Sequence, residues 1–303
     1  MSPTAIALIL AAAIAHASWN LFGKQAASTG AAFFIWMVAA WVTVGYLPVA
    51  AITAIITHPR LTGLNWLFLA GTGVLHAGYF LFLQLGYRLG DLSVAYPIGR
   101  GTGALLAALA GVVLLGERPG LVAAAGIAAI VAGVIVIGLP GRRAAVGQTA
   151  IAGAGGGAAP GSTSRAAIAF ALTTGVFIAC YTIWDKYAVA NLHTEPVLQG
   201  YAGFPVMALV FTPIVLRDRQ RLAQVWRSFR LQVLGATLLS PLAYILVLIA
   251  LSFTAVSAVA PAREVSVLFG VLLGGRLLGE GSLARRLAAA AAIVAGVIAV
   301  AVG

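Results

Sequence analysis

The sequence has few charged residues for its length, and acidic residues are the scarcest of them. Only 8% of the 303 residues are charged and only seven are Asp or Glu, whereas soluble domains carry roughly 25% charged residues. Hydrophobic residues make up 62% of the chain, more apolar surface than a soluble fold of this size could bury. The composition therefore excludes an ordinary soluble domain and predicts an all-α integral membrane protein.

Cysteine pairs and catalytic motifs are also missing. The sole cysteine, Cys180, lies within an apolar run, so an internal disulfide is excluded. The sequence contains no phosphate-binding loop, no His-Glu-x-x-His motif and no pattern of a nucleophile triad. The run from Gly99 to Gly103 superficially resembles a phosphate loop, but it lies within an apolar segment and has no following lysine. We therefore expect no enzymatic activity, no cofactor and no ATP-driven step.

The net charge of +11 comes from arginines that cluster between the apolar segments. They concentrate at 142–165, 217–230 and 285–286, and few cations occupy the loops predicted on the opposite side. Basic loops of this kind favour the cytoplasmic face of a membrane rather than nucleic-acid binding. This pattern predicts cytoplasmic basic loops and both termini outside.

Ten apolar segments have the length of a membrane-spanning helix, which needs roughly 20 residues. The linker 140–165, rich in Gly, Ala and Ser, separates a first five-helix unit, 1–139, from a second, 166–303. The predicted spans are 4–23, 33–57, 64–86, 93–115, 120–139, 166–185, 197–216, 231–252, 255–275 and 284–302.

The two units are related in sequence. The hexapeptide Ile-Val-Ala-Gly-Val-Ile occurs at 130–135 and again at 293–298, and Leu-Leu-Gly-Glu occurs at 114–117 and again at 277–280. Because each unit has an odd number of predicted spans, the second must enter the membrane in the opposite orientation. The sequence thus predicts two inverted five-helix repeats, an architecture typical of secondary transporters with a central binding site.

Three charged residues lie deep within predicted spans, where each is costly unless it is paired or faces water. Arg100 lies about 12 Å into the fourth span, at 1.5 Å per residue, and Arg263 and Glu264 lie at a similar depth in the ninth. The repeat places Arg100 opposite Glu264, behind Pro97 and Pro261 at equivalent positions. We expect a buried ion pair that either joins the two halves or contributes to a site, with Glu264 as a candidate proton carrier.

Polar and aromatic residues at membrane depth complete the candidate site. His76 is equally well explained as a hydrogen-bonding residue between helices, and Trp19 and Trp184 as members of an interfacial aromatic belt. Lys24 and Lys186 are expected to extend toward the headgroups. The candidate substrate-binding residues are Trp19, Asn20, His76, Tyr79, Tyr96, Arg100, Trp184, Tyr244, Arg263 and Glu264.

These features together resemble the drug/metabolite transporter superfamily, and within it the EamA-like ten-helix exporters. The resemblance covers the whole chain and rests on the duplicated unit, on Gly-Glu at 116–117 and 279–280, and on His-Ala-Ser-Trp-Asn at 16–20 followed by Lys24. It implies a secondary carrier, commonly an exporter of amino acids or related metabolites, in a bacterial inner membrane. Members are usually drawn with cytoplasmic termini, opposite to the orientation that the basic loops predict.

The sequence therefore predicts export of small metabolites, foremost amino acids, by alternating access at a cavity between the repeats. The expected partners are the substrate and the lipid bilayer, with coupling to protons left open. A multidrug or cation efflux carrier is the main alternative, followed by a channel or an intramembrane enzyme. Cation carriers of this superfamily rely on an unpaired intramembrane Glu, whereas every deep acid here is expected beside an Arg, which favours a zwitterionic substrate.

Overall fold

The computed structural model describes residues 1–89, 92–138, 165–266 and 283–303, and for 28 of the helical positions it describes only the backbone. All regular secondary structure in these ranges is helical. In chain order the helices are α1 (Pro3–Gly45), α2 (Leu47–Thr57), α3 (Gly63–Leu89), α4 (Leu92–Leu114), α5 (Leu121–Gly138), α6 (Arg165–Ala190), α7 (Pro196–Val215), α8 (Arg219–Phe253), α9 (Val256–Ala262) and α10 (Leu283–Val302).

Several of these helices are long and apolar enough to cross a membrane. Five such spans are found in the described residues, or six if the pair Ala32–Gly45 and Leu47–Thr57, bent by 42°, forms one span. Within α4, α5 and α10, the segments Ile98–Leu114, Leu121–Val136 and Ala291–Val302 are shorter apolar helices. The chain is thus a multi-pass membrane protein, and the count of ten spans stays a prediction.

The structure departs from the predicted spans in α1 and at the start of α8. Helix α1 is continuous through the position where the first two predicted spans are separated; at about 1.5 Å per residue it is too long for a single crossing. Helix α8 begins at Arg219, earlier than the predicted span at 231, because Asp218 accepts a hydrogen bond from the backbone N–H of Arg221 and caps a basic first segment. The backbone leaves helical geometry at Phe229, where the apolar part of α8 begins.

The helix α9 is interrupted at the deep charges. It ends at Ala262, immediately after Pro261, and Arg263 and Glu264 form a turn. The N–H of Glu264 donates to the carbonyl of Pro261, a tighter pattern than that of an α-helix. The predicted helix over 255–275 is therefore broken in its middle, and residues 267–282 lie outside the described part of the chain.

The first Gly-Glu pair joins the two halves. Gly116 has a positive φ of 68°, which reverses the chain after α4 without steric cost. Both carboxylate oxygens of Glu117 then accept hydrogen bonds from the N–H groups of Val256 and Ser257, at 2.7 and 2.8 Å. Glu117 therefore caps the N-terminus of α9, which belongs to the other half. Glu280, its repeat counterpart, lies outside the described residues.

Helices of the first half pack on helices of the second. Helix α1 packs along α8, α3 and α4 pack on α6, and α5 packs on α10. The halves are thus interleaved, and the space at their centre is bordered by both.

The repeated hexapeptides meet each other at the contact between α5 and α10. A Cβ added to Gly133 would lie 2.7 Å from Ile293, and one added to Gly296 would lie 2.7 Å from Ile130. Each repeat thus places its glycine against the first residue of the other copy, a reciprocal contact that a two-fold relation produces. The helices run antiparallel here, since Gly126 lies beside Val300 while Gly133 lies beside Ile293. This is the arrangement that an inverted repeat requires.

Candidate functional site

A cavity lies at the centre of the interleaved halves, with an empty volume of about 810 Å³ including the part open to solvent. Helices α1, α3 and α4 line it from the first half, and α6, α7 and α8 from the second. Its wall is mostly apolar and aromatic, with a small set of polar groups. The lining residues that carry polar atoms are His16, Trp19, Thr72, His76, Tyr79, Arg100, Tyr181, Gln199, Ser240 and Tyr244.

Arg100 and Glu264 form the buried ion pair that the repeat alignment predicts. Arg100 Nε donates to Glu264 Oε2 at 3.0 Å, and Arg100 Nη2 lies 2.9 Å from Glu264 Oε1. Arg263 Nε lies 3.7 Å from the same Oε1, so this contact is ionic rather than a hydrogen bond. These residues form an Arg-Glu-Arg triad that carries one positive charge in excess, and all three are at most 8% exposed.

The guanidinium of Arg263 continues from this triad toward α6. Its Nη2 donates to Thr182 Oγ1 at 3.2 Å and lies 3.5 Å from the Tyr181 hydroxyl oxygen. The guanidinium carbon also lies 5.7 Å from the centroid of the Tyr181 ring, within cation–π range. Tyr181 lines the cavity. The guanidinium of Arg263 therefore contacts a ring of the cavity wall.

Asp185 is a fully buried carboxylate held by hydrogen bonds from three helices. Its oxygens accept from Thr72 Oγ1 on α3 at 3.1 Å, from Gln199 Nε2 on α7 at 2.8 Å and from the Tyr244 hydroxyl on α8. These donors are neutral. Within the described residues, Asp185 makes no salt bridge. An acidic group therefore lies directly behind three residues of the cavity wall.

Ring contacts connect Tyr181, which Arg263 contacts, to Tyr244, which bonds Asp185. The imidazole of His76 stacks on the ring of Tyr181 with centroids 4.2 Å apart and meets the ring of Tyr244 edge to face at 5.0 Å. His76 Nδ1 lies 2.8 Å from the carbonyl oxygen of Thr72, which only accepts, so Nδ1 carries the hydrogen and Nε2 of the neutral ring is an acceptor. Tyr79 lies edge to face with Tyr181, at 5.9 Å.

Five of the ten residues predicted to bind substrate line the cavity: Trp19, His76, Tyr79, Arg100 and Tyr244. Arg263 and Glu264 lie behind the wall, bonded to residues that form it. The side chains of Asn20 and Tyr96 lie outside the described part of the chain.

Trp184 does not line the cavity. Its indole stacks on Phe68 at 4.1 Å and donates to the Phe68 carbonyl at 2.9 Å. It can pack there because Gly71 has no Cβ, which would otherwise lie 2.4 Å from the indole. The residue therefore joins α6 to α3 and lies outside the lining of the cavity.

Asp185 is a buried acid that was not among the deep charges predicted from the sequence, and its hydrogen-bond partners are neutral. The sequence placed the end of the sixth span at this residue because the charged pair Asp185 and Lys186 looked like a helix end, but α6 continues to Ala190. Lys186 Nζ donates to the carbonyls of Leu251 and Thr254 at the end of α8, so it needs no lipid headgroup. Asp185 and its partners Thr72 and Gln199 were thus missed as site residues.

His16 and Tyr181 also belong to the cavity wall. His16 Nδ1 accepts from Trp19 Nε1 at 3.2 Å, which fixes the indole against α1. The sequence carries a signal for each: His16 begins the motif His-Ala-Ser-Trp-Asn at 16–20, and the repeat aligns residues 19–24 with 181–186, which places Trp19 over Tyr181.

The comparisons with known proteins agree with this architecture. The sequence model of the EamA-like transporter family matches twice, at residues 3–139 and 165–302. One solved structure, described only as "Crystal structure of protein", shares the fold with a TM-score of 0.73 at 18% identity, covering 100% of this chain and 98% of that one. No curated protein matches the chain. The family model covers nearly the whole chain, and it matches once on each of the two helical units that border the cavity. The chain therefore belongs to the EamA-like transporter family, whose members carry small molecules across membranes.

Proposed function

We propose that the protein is a secondary transporter that exports amino acids, or closely related metabolites bearing both an amine and a carboxylate. The observation that carries this proposal is the charge distribution around the cavity. The triad of Arg100, Arg263 and Glu264 contributes one excess positive charge, and Asp185 contributes one negative charge. The stacked rings of Tyr181 and His76 belong to the chain of contacts that connects these centres. A zwitterion is the substrate whose charges match both.

The character of the cavity suits such a substrate. The cavity is bordered by six helices and lined mainly by apolar and aromatic side chains with a few polar groups, as is usual in small-molecule sites. Its polar groups are few and fixed by hydrogen bonds, while Phe34, Phe80, Phe204 and Met207 supply apolar surface for a substrate side chain.

Alternating access follows from the position of the cavity. Because its walls belong to helices of both halves, exchanging the conformations of two inverted repeats would open it first to one side and then to the other. The driving force would be the substrate gradient or a coupled ion, and Glu264 remains the proposed carrier if protons are exchanged. We place this activity in the bacterial inner membrane.

Counterflow in liposomes tests the function directly. Purified protein, reconstituted with unlabelled amino acid inside, should accelerate and saturate the entry of the same labelled amino acid. A panel of the twenty amino acids identifies the substrate. Ohmic current would instead indicate a channel, and chemical conversion of the solute an enzyme; flux equal to protein-free liposomes with every amino acid would refute the proposal.

A cation efflux carrier is the second candidate, and Asp185 favours it. A buried carboxylate outside any described salt bridge is a suitable counter-charge for an organic cation. The two candidates separate in one experiment with an amino acid and the amine left after its decarboxylation. Transport of the amine but not of the amino acid would select the cation carrier.

A further inference from the structure

Three hydrogen-bond acceptors belong to residues that line the cavity next to Asp185. The first is Gln199 Oε1, whose residue is fully buried and which receives no hydrogen bond from any described residue. The amide oxygen and nitrogen of Gln199 cannot be exchanged to give the oxygen a partner. Gln199 Nε2 donates both to Asp185 Oδ1 at 2.8 Å and to the carbonyl of Phe68 at 3.2 Å, and an oxygen in its place would face two acceptors. A buried acceptor without a donor is costly, and ligand binding is one way in which it is satisfied.

The second and third acceptors are Tyr244 Oη and His76 Nε2. The Tyr244 hydroxyl gives its hydrogen to Asp185, so its oxygen keeps lone pairs for another donor. The His76 ring gives its Nδ1 hydrogen to Thr72, which leaves Nε2 as an acceptor. Gln199, Tyr244 and His76 therefore share one property: each presents an acceptor whose orientation is fixed by a bond on its other side.

We propose that Gln199, Tyr244 and His76, backed by the charge of Asp185, form a subsite for a primary ammonium group. A primary ammonium carries three N–H donors and one positive charge. The three acceptors match the donors in number, and the carboxylate matches the charge. The rings of His76, Tyr181 and Tyr244 add surfaces that attract a cation.

This subsite would make the protein selective among amines. A quaternary ammonium has the charge but no N–H donor, so it would leave Gln199 Oε1 unsatisfied. The subsite should therefore prefer a primary amine over its trimethylated derivative by roughly 10- to 100-fold, the factor expected from losing a hydrogen bond to a charged group. The inference rests on the proposed function only in taking the ligand to be the transported solute.

The test is equilibrium binding to purified protein in detergent, with glycine, leucine and phenylalanine, each paired with its N,N,N-trimethyl derivative. At least one primary amine should bind about tenfold or more tightly than its partner. If no pair shows this preference, or if the trimethyl form binds better, the subsite does not exist.

Two variants and one control then locate the preference. Asp185→Asn should weaken binding of both members of a pair at least tenfold, because it removes the charge, whereas Gln199→Met should weaken only the primary amine. Asp218→Asn, at an exposed position whose side chain caps α8, is the matched control and should change neither. If Asp185→Asn does not fold, Gln199→Met decides alone. An unchanged preference in Gln199→Met refutes the assignment.

The same protein in liposomes separates this inference from the proposed function. Flux without a preference for primary amines would refute the subsite and leave the transporter standing. Binding with the preference but no counterflow would refute the transporter and leave the subsite standing.

Discussion

At the scale of single residues, the most consequential arrangement is a carboxylate placed between two guanidinium groups. Glu264 is fully buried, and Arg100 binds it through two atoms while Arg263 lies farther away. Removing the charge of Glu264 leaves two arginines near each other at membrane depth. Breaking a buried pair by removing one partner costs about 3–5 kcal/mol, so this residue should dominate the stability of the site.

We expect Glu264→Gln to lower the melting temperature of the protein in detergent more than Arg263→Gln does. The double variant Arg100→Gln with Glu264→Gln should regain part of the lost stability, because one of the two arginine charges left uncompensated in Glu264→Gln is removed. Thermal melts of the single and double variants measure the coupling, with Asp218→Asn as the exposed control. Equal losses in Glu264→Gln and Arg263→Gln would contradict the central role of Glu264.

The same variants separate a structural role of Arg100 from substrate binding. If Arg100 receives a substrate carboxylate, the double variant should stay poor in transport even where its stability recovers. Full recovery of amino acid counterflow would show that the pair only joins the two halves.

The residues of the site were predictable from sequence to different degrees for a physical reason. Arg100 and Glu264 could be paired because the repeat alignment placed them at equivalent depth, and a buried charge must find a partner. Asp185 could not be placed, because its partners Thr72 and Gln199 are neutral and lie on other helices. The spacing of residues within α6 therefore gives no indication of these partners.

At the scale of helices, the end of one element is stabilised by a residue from the other half. Glu117→Ala would remove two acceptors from the N-terminus of α9 and should destabilise the protein by about 1–2 kcal/mol, the usual value of a helix cap. Thermal unfolding in detergent measures the loss. Glu195→Ala is the matched control, because Glu195 precedes α7 without making a side-chain cap bond. Equal melting temperatures for the two variants would show that the cap contributes little.

Close packing between α5 and α10 gives a second prediction at this scale. In Gly126→Ala the new Cβ would lie 2.6 Å from the backbone carbonyl oxygen of Gly296, which cannot move without shifting the helix. Overpacking of this kind costs about 1–3 kcal/mol. Gly45→Ala is the control, since no described atom beyond its chain neighbours and its own helix backbone lies within 4 Å of its added Cβ. A melting temperature for Gly126→Ala equal to that of the control would contradict the close approach.

The helices themselves were largely predictable, because apolar runs of about 20 residues have few alternatives in a membrane. Their interruptions were less so. Pro97 and Pro261 occupy equivalent positions, yet α4 is continuous from Leu92 whereas α9 ends at Ala262. The presence of a proline at this position therefore does not by itself determine where the helix is interrupted.

At the scale of the whole molecule, the reciprocal contact of the two hexapeptides supports the inverted arrangement that their repetition suggested. Both ends of the chain also lie together, since the N-terminal ammonium of Met1 donates to the carbonyl of Ala301 at 2.7 Å. An even number of membrane crossings would place both ends on the same side of the membrane. The division into units at 1–139 and 166–303, joined by the linker 140–165, stays our proposal.

The orientation of the molecule in the membrane is a prediction of its charge distribution. If the basic loops are cytoplasmic, a cysteine at exposed Gln220, beside Arg219 and Arg221, should resist an impermeant thiol reagent in intact cells. A cysteine at exposed Arg118 should react, because that loop lies at the end of the bundle where Gly120 approaches Gly303. Both cysteines are introduced into a Cys180→Ala variant, because Cys180 is itself exposed and could react with the reagent. Both sites should react once the cells are permeabilised, which controls for accessibility. Labelling at Gln220 with protection at Arg118 would reverse the orientation, and would mean that charges other than those of the loops set the topology.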